Sequence, residues 1–142
     1  MPIQIRSATE QDEVAITDLW RVCDLVVSPN DPVRDFRFVR AKPTSDILAA
    51  FDESGALIGS VAVGYDSSRG WLSYVSVAPT LQRQGVGRDL VRAAERWLAA
   101  RGVTKVHLTV RATNMDVVRF YERMGYGATP SILMEKGLRQ PD

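Results

Sequence analysis

Two glycines stand where a strand gives way to a helix, in the segment VSVAPTLQRQGVGRDLVRAAERWL that runs from residue 75 to residue 98. Gly85 and Gly87 are flanked by Arg83 and Arg88. The first turn of a helix attracts anions, because its amides are unpaired and it carries the positive end of the helix dipole. Glycine lets the backbone approach a phosphate, and two arginines would add charge-assisted contacts. The pattern indicates an anion-binding turn; the alternative is a glycine pair that only shapes a tight connection.

The two common nucleotide-binding patterns do not fit this turn. A Walker loop needs a lysine after its last glycine, and no lysine follows Gly87. A dinucleotide fingerprint needs a third glycine at position 90, where the chain has Leu90. A nucleotide-phosphate site is therefore disfavoured.

A second candidate group lies in the segment TNMDVVRFYERM, which has the periodicity of a helix. Asn114 and Tyr121 are seven residues apart, so both lie on one helical face and both can line one groove. Taken alone, Asn114 would be a helix N-cap and Tyr121 a packed aromatic.

Composition limits the class of protein. The chain has 142 residues, a formal net charge of +1 and one cysteine, Cys23. These values predict a single domain over residues 1–142 that binds neither nucleic acid nor membrane and forms no internal disulfide. The sequence has no signal peptide and no run of about 20 apolar residues, so we expect a soluble, cytoplasmic protein.

Hydrophobic periodicity predicts the elements that must position these residues. A first strand, IQIRSA, leads through a capping box from Thr9 to Asp12 into a helix, and a second helix starts at Asp31-Pro32. A β-hairpin, the strand WLSYVSV, a helix from Arg88 to Ala100, the strand VTKVHLTVR, the helix at TNMDVVRFYERM and a last strand, SILMEKGL, follow. The predicted order is β-α-α-β-β-β-α-β-α-β, an α/β fold with helices on both faces of a mixed sheet.

Two motifs at this separation resemble a known family. The stretch VSVAPTLQRQGVGRDLV is similar to motif A of the GNAT N-acetyltransferases, whose pattern is Gln/Arg-x-x-Gly-x-Gly/Ala. VRATNMDVVRFYERMGY is similar to their motif B, in which an asparagine opens a helix and a tyrosine and Gly-Tyr follow. The element order is also that of the family. The resemblance covers nearly the whole chain and is closest to small bacterial members, including the ribosomal-protein N-acetyltransferases.

The resemblance implies an enzyme that moves an acetyl group from acetyl-CoA directly to an amine, without a metal or a covalent intermediate. It implies that the CoA pyrophosphate is held by backbone amides of Arg83, Gln84, Gly85, Val86, Gly87 and Arg88. It also implies that the strand at Val75, Ser76 and Val77 pairs with the pantetheine and supplies an oxyanion donor. By the same resemblance, Asn114 contacts the cofactor near its sulfur and Tyr121 protonates the leaving thiolate.

The general base of the family is missing from this sequence. The positions that carry a glutamate in related enzymes are Trp71 and Thr109 here. His107 is the only histidine and lies on the same strand face as Thr109, so it is a candidate base, but a histidine half-covered by a helix is the favoured interpretation. A water chain ending at Tyr65, Asp66 or a backbone carbonyl is also open. The missing base favours a second function, a non-catalytic acetyl-CoA sensor or interaction module.

The acceptor amine is not identified by the sequence. In this fold the loop between the first two helices shapes the acceptor site, and Asp24, Asp31 and Asp35 could attract a cation there. The alternative is that Asp31 caps a helix and Asp35 is a solvated carboxylate. Cys23 lies on an apolar stripe and is expected to be inert. The short end after SILMEKGL would leave a sheet edge open, which predicts a homodimer.

Overall fold

A computed structural model describes residues 2–27 and 30–138, which fall into two units, Met1–Thr109 and Val110–Asp142. The first unit contains a five-stranded sheet in the order β1-β2-β3-β4-β5. Its strands are β1 (Gln4–Ser7), β2 (Ser45–Phe51), β3 (Leu57–Tyr65), β4 (Arg69–Val77) and β5 (Lys105–His107). The first four strands are antiparallel neighbours and β5 is parallel to β4. The sheet is therefore mixed, as predicted.

Three α-helices belong to the first unit: α1 (Glu13–Val22), α2 (Pro32–Arg40) and α3 (Val86–Ala99). Short 3-10 turns precede α1 at Glu10–Asp12 and α3 at Pro79–Leu81. The Thr9 amide donates to Asp12 Oδ2 at 2.7 Å, which is the reciprocal half of the predicted capping box. Asp31 caps α2, with Pro32 in the first turn. The local sequence signals thus start both N-terminal helices where expected.

Helices cover both faces of the sheet, and two adjacent residues of β3 show this. The Ser60 hydroxyl accepts a hydrogen bond from the Trp20 indole on α1, whereas a Cβ at Gly59 would lie 2.8 Å from Leu90 Cδ1 on α3. Successive residues of a strand point to opposite faces, so α1 and α3 pack on opposite sides. The α1–α2 side has a core of Ala8, Ile16, Trp20, Phe36, Ile47, Ala49 and Ala62.

Four apolar side chains of α3, Leu90, Val91, Ala94 and Leu98, are almost fully buried in the first unit. Each large one contributes about 1.5–3 kcal/mol by leaving water. Gly59 matters here because its missing Cβ lets α3 approach the sheet: the same Cβ would also lie 2.8 Å from the Ser76 carbonyl oxygen. Helix α3, which follows the glycine turn, therefore packs closely against the sheet.

The second unit contains one helix, α4 (Met115–Arg123), with Asn114 at its N-cap, as predicted. The predicted last strand at Ser131–Leu138 is wrong: these residues have no regular secondary structure and their side chains are exposed. A strand needs a neighbouring strand to which its backbone can hydrogen-bond. The three successive apolar residues Ile132 to Met134 also lack the alternation of apolar and polar residues that would bury one face of a strand. The predicted strand VTKVHLTVR is also shorter, since only Lys105–His107 is paired.

Candidate functional site

The glycine turn before α3 has an unusual backbone. Gly85 is the N-cap of α3 with φ +89°, and Arg83, two residues earlier, has φ +66°. Left-handed conformations are costly for residues with a Cβ, so Gly85 suits its position and Arg83 is strained there. A Cβ at Gly85 would meet nothing within 4 Å. The need for glycine is thus conformational, and open space surrounds the turn.

The amides of residues 83–88 make no hydrogen bond within the part of the chain that the structure describes. The first backbone bond of α3 is donated by Asp89 to the Gly85 carbonyl at 3.0 Å. The side chains of Arg83, Gln84 and Arg88 are exposed, whereas Val86 is buried and anchors the turn. An exposed group of free amides at the positive end of a fourteen-residue helix fits a phosphate.

Strand β4 contains a bulge just before the predicted pantetheine segment. Its register with β3 passes from Ala62↔Ser73 to Ser60↔Ser76, so β4 carries one extra residue. Tyr74, in the bulge, has φ +52°, a rare conformation for an aromatic residue. The bulge changes the direction in which the side chains and peptide groups of the following residues point.

The peptide of Val77 faces the edge of β4 that is turned away from β3. The next residue, Ala78, donates to the Ile58 carbonyl at 2.8 Å, and in an antiparallel pair adjacent residues point their polar groups to opposite sides. The Val77 carbonyl instead accepts from Gln82 Nε2 and from Cys23 Sγ, both at 3.3 Å. A ligand pairing with this edge would compete with these two donors.

Strands β4 and β5 pair over three residues only. The parallel register ends at Trp71↔His107, and β5 ends there too, while β4 continues to Val77. Residues 72–77 of β4 therefore have no strand on that side within the first unit. No residue pattern in the sequence indicates this open edge.

A buried polar network lies on the α1–α2 side of the bulge. The Tyr74 hydroxyl donates to Asp35 Oδ2 at 2.6 Å, and its ring stacks on Trp20 with centroids 4.0 Å apart. Ser60 Oγ accepts from Trp20 and lies 2.9 Å from Ser76 Oγ. Sequence analysis missed Tyr74 and Ser60, and it named Ser76 only as part of the strand that pairs with the pantetheine; two serines inside apolar strands were the available signal for the network.

The three acidic candidates of the acceptor site have different environments. Asp31 is the cap of α2: its Oδ1 accepts from the amides of Val33 at 3.0 Å and Arg34 at 3.4 Å. Asp24 is exposed, with φ +57°. Asp35 is half-buried and bonded to Tyr74, so the expectation of a merely solvated carboxylate is wrong.

The other candidate side chains of the first unit offer little chemistry. Burial raises the pKa of the Cys23 thiol, which suits the predicted inert cysteine. His107 is exposed on β5, and Trp71 and Thr109 provide no carboxylate. Among residues 2–27 and 30–138, no cluster of three or more His, Cys, Asp or Glu could hold a metal. A cavity of about 500 Å³ lies along α2, lined by Asp31, Val33, Arg34, Arg37 and Phe38.

In the second unit, Asn114 Oδ1 accepts from the Val117 amide at 3.3 Å, so Asn114 acts as a helix cap. The Tyr121 ring is buried, with edge-to-face contacts to Phe120 at 5.0 Å and Tyr126 at 5.5 Å. Burial raises the pKa of Tyr121 to about 12. Its hydroxyl has no hydrogen-bond partner among the described residues, although every fully buried side-chain polar atom there has one, so the hydroxyl reaches the surface.

Comparisons with known proteins agree with this geometry. The model of the acetyltransferase (GNAT) family matches residues 14–126. An acetyltransferase of Pectobacterium atrosepticum is 35% identical over 137 residues, which cover 96% of each chain. An aminoglycoside N-acetyltransferase bound to a CoA bisubstrate analogue has a TM-score of 0.82 at 15% identity, over 98% of this chain and 100% of that one. The ribosomal-protein-alanine N-acetyltransferase from Escherichia coli has a TM-score of 0.78 at 23% identity, over 90% and 80%.

No helix in the part of the chain that the structure describes has the length and apolar character needed to cross a membrane.

Proposed function

Because the chain belongs to the GNAT acetyltransferase family, we propose that it transfers an acetyl group from acetyl-CoA directly to a primary amine. The observation that carries the proposal is the group of unbonded amides of residues 83–88 at the start of α3. Such amides suit a diphosphate, since each N–H can meet an oxygen and the helix dipole favours the negative charge.

We propose that the pyrophosphate binds at the turn and that the pantetheine lies along β4. The residues assigned to the cofactor are Val75, Ser76, Val77, Arg83, Gln84, Gly85, Val86, Gly87, Arg88 and Asn114. The open edge of β4 supports this assignment, because residues 72–77 have no neighbouring strand on that side within the first unit. An amide of this edge would stabilise the oxyanion that forms when the amine attacks the thioester.

We propose that Tyr121 stabilises the leaving thiolate. Its pKa of about 12 keeps the hydroxyl protonated at neutral pH, so it can donate a hydrogen bond. A thiol has a pKa of about 8.5, so complete proton transfer from such a phenol would cost on the order of 5 kcal/mol. We therefore assign Tyr121 the role of a hydrogen-bond donor to the sulfur, with solvent completing the protonation.

The two units act, in this proposal, as one catalytic domain over residues 1–142. The support is the family model, whose match from residue 14 to residue 126 runs across the boundary between Thr109 and Val110. Removal of the second unit should therefore abolish acetyl transfer.

A second candidate function, a non-catalytic acetyl-CoA sensor or interaction module, is favoured by one observation. The chain has Trp71 and Thr109 where related enzymes carry a carboxylate base. A sensor would bind acetyl-CoA without releasing free CoA in the presence of any amine, whereas the enzyme releases CoA with at least one.

The binding step is tested by calorimetry with acetyl-CoA on the wild type, Gly85→Ala and Gly55→Ala. Both glycines have strongly positive φ, +89° and +85°, and a Cβ added at either would meet no atom within 4 Å, so the two variants carry the same backbone strain. That strain costs about 1–2 kcal/mol of stability in each. Only Gly85→Ala should lose affinity for acetyl-CoA, by about tenfold or more. Equal affinities in the two variants would contradict the assignment of the turn.

We further propose that the protein forms a homodimer in the cytoplasm. Four large apolar side chains after α4, Ile132, Leu133, Met134 and Leu138, are 74–88% exposed, and a second copy would cover them. The single cysteine suits a reducing compartment. Sedimentation at micromolar concentration should give twice the chain mass of 15.8 kDa, and a monomer mass would reject the dimer.

A further inference from the structure

Asp35 is a half-buried carboxylate that has neither a cation nor a backbone amide bonded to it among the described residues. Asp46 and Asp52 are also half-buried and without a cation, but each accepts from a backbone amide. Asp12 pairs with Arg6 at 2.8 Å and Glu13 pairs with Arg37 at 2.6 Å. Asp35 forms no ion pair within residues 2–27 and 30–138. The positions three and four residues away on α2, where a helical partner would stand, hold Asp31, Pro32, Phe38 and Val39.

One carboxylate oxygen of Asp35 is held and the other is available. Oδ2 accepts from the Tyr74 hydroxyl at 2.6 Å, while Oδ1 makes no hydrogen bond with the described residues. All fully buried side-chain oxygens and nitrogens in the described part of the chain are hydrogen-bonded, so Oδ1 is open to solvent or to a ligand. Burial, together with the contact to Asp35, raises the pKa of Tyr74, which stays neutral. The pair therefore carries a net charge of −1.

The partner that orients Asp35 is itself fixed. Tyr74 lies in the β4 bulge, and its ring is stacked on Trp20, which is fully buried. The φ of Tyr74, +52°, is a strained backbone conformation, which persists only where the surrounding packing holds the residue in place. Strained residues of this kind cluster at functional sites. The residue after Tyr74 is Val75, the start of the segment assigned to the pantetheine and the oxyanion. The Asp35 carboxylate is thus oriented, through its Oδ2, by a residue adjacent in sequence to the proposed reaction centre.

We propose that Asp35 Oδ1 binds a second, non-reacting ammonium group of the acceptor, so that the enzyme selects amines with at least two positive charges. This proposal rests on the proposed acetyltransferase function. The reacting amine must be neutral when it attacks, and a carboxylate contact would stabilise its protonated form instead. Asp35 is therefore a residue for substrate selection.

The test compares n-butylamine, which has one amino group, with 1,4-diaminobutane and spermidine, which have two and three. Calorimetric dissociation constants are measured on CoA-saturated wild type, Asp35→Asn and Asp18→Asn. Loss of a charge-assisted bond should weaken binding of the two polycations to Asp35→Asn by about 10–100-fold and leave n-butylamine unchanged. Asp18→Asn, which changes an exposed carboxylate on α1 that has no place in the proposed site, should bind all three amines as the wild type does.

Tyr74→Phe provides a second variant, because it keeps the carboxylate and removes only its orienting bond. It should weaken polycation binding by about 3–10-fold. Wild type that does not prefer the polycations, or Asp35→Asn that binds them unchanged or weakens all three amines equally, would overturn the proposal. Calorimetry with acetyl-CoA is run on the same preparations. Failure of cofactor binding would count against the acetyltransferase function, and failure of amine discrimination alone would count against Asp35.

Discussion

The indole N–H of Trp20 donates to Ser60 Oγ at 3.0 Å, and both side chains are completely buried. This bond joins α1 to the middle of the sheet across the layer that also holds the β4 bulge. A buried N–H that loses its acceptor keeps the full cost of its desolvation.

Ser60→Ala should therefore lower the free energy of unfolding by about 1–3 kcal/mol, since it leaves the Trp20 N–H unpaired. Urea denaturation followed by tryptophan fluorescence measures this change. Ser73→Ala is the matched control, because Ser73 is exposed on β4 and its loss should cost less than about 0.5 kcal/mol. Equal effects of the two substitutions would show that the buried bond does not stabilise the fold.

Tyr121→Phe should reduce the rate of CoA release by about 10²-fold and leave the affinity for acetyl-CoA unchanged. The hydroxyl is proposed to act on charge that develops only in the transition state, and removing one such donor typically has this effect. Tyr126→Phe, on the other member of the edge-to-face pair, is expected to change the rate by less than about threefold. A full rate in Tyr121→Phe would remove Tyr121 from the mechanism.

Alkaline pH should destabilise the protein through Tyr121. Burial raises its pKa to about 12 in the folded chain, above the ordinary value of 10.0. The folded state then binds more protons than the unfolded state between these values, so stability falls as pH rises from about 10 to about 12. Thermal melts over this range should show a shallower fall in Tyr121→Phe. Identical slopes in the two proteins would contradict the raised pKa.

Acid should destabilise the protein through Asp12. The hydrogen bond from Arg6 is the largest cause of its lowered pKa, and the Thr9 amide adds to it. A lowered folded pKa gives stability that is present above the ordinary value of 3.8 and is lost as pH falls through the folded pKa. Asp12→Asn should cost about 1 kcal/mol at pH 7 and flatten the acid limb of the denaturation curve.

Asp18→Asn is the control for that experiment, because Asp18 pairs with Arg21 on an exposed helical surface. Exposed pairs contribute little, so its acid limb should match the wild type.

Local signals in the sequence predicted the elements of the fold well. The Asp31-Pro32 start, the Asn114 cap and the hairpin all depend on neighbours in the chain, and the structure has each of them. The final strand depends on a distant partner, and its prediction was wrong. Strand pairing is a tertiary property that periodicity alone does not determine.

The candidate site shows the same division. The turn at Gly85 could be predicted because a glycine that allows a positive φ stands next to the residues that begin the helix. The contact between Tyr74 and Asp35 joins residues 39 positions apart, through a bulge that no residue type announces. Patterns in the sequence thus predicted the turn before α3 and missed the contact between Tyr74 and Asp35.

Gly59 contacts no cofactor in any of these proposals, yet it sets the distance between α3 and the sheet. Any larger residue there would press on Leu90 and on the Ser76 carbonyl, and the simplest relief is for α3 to rise or tilt away from the strands. The unbonded amides of residues 83–88 lie at the start of that helix and would move with it. The proposed affinity for a diphosphate should therefore depend on the absence of a Cβ at Gly59, under the helix.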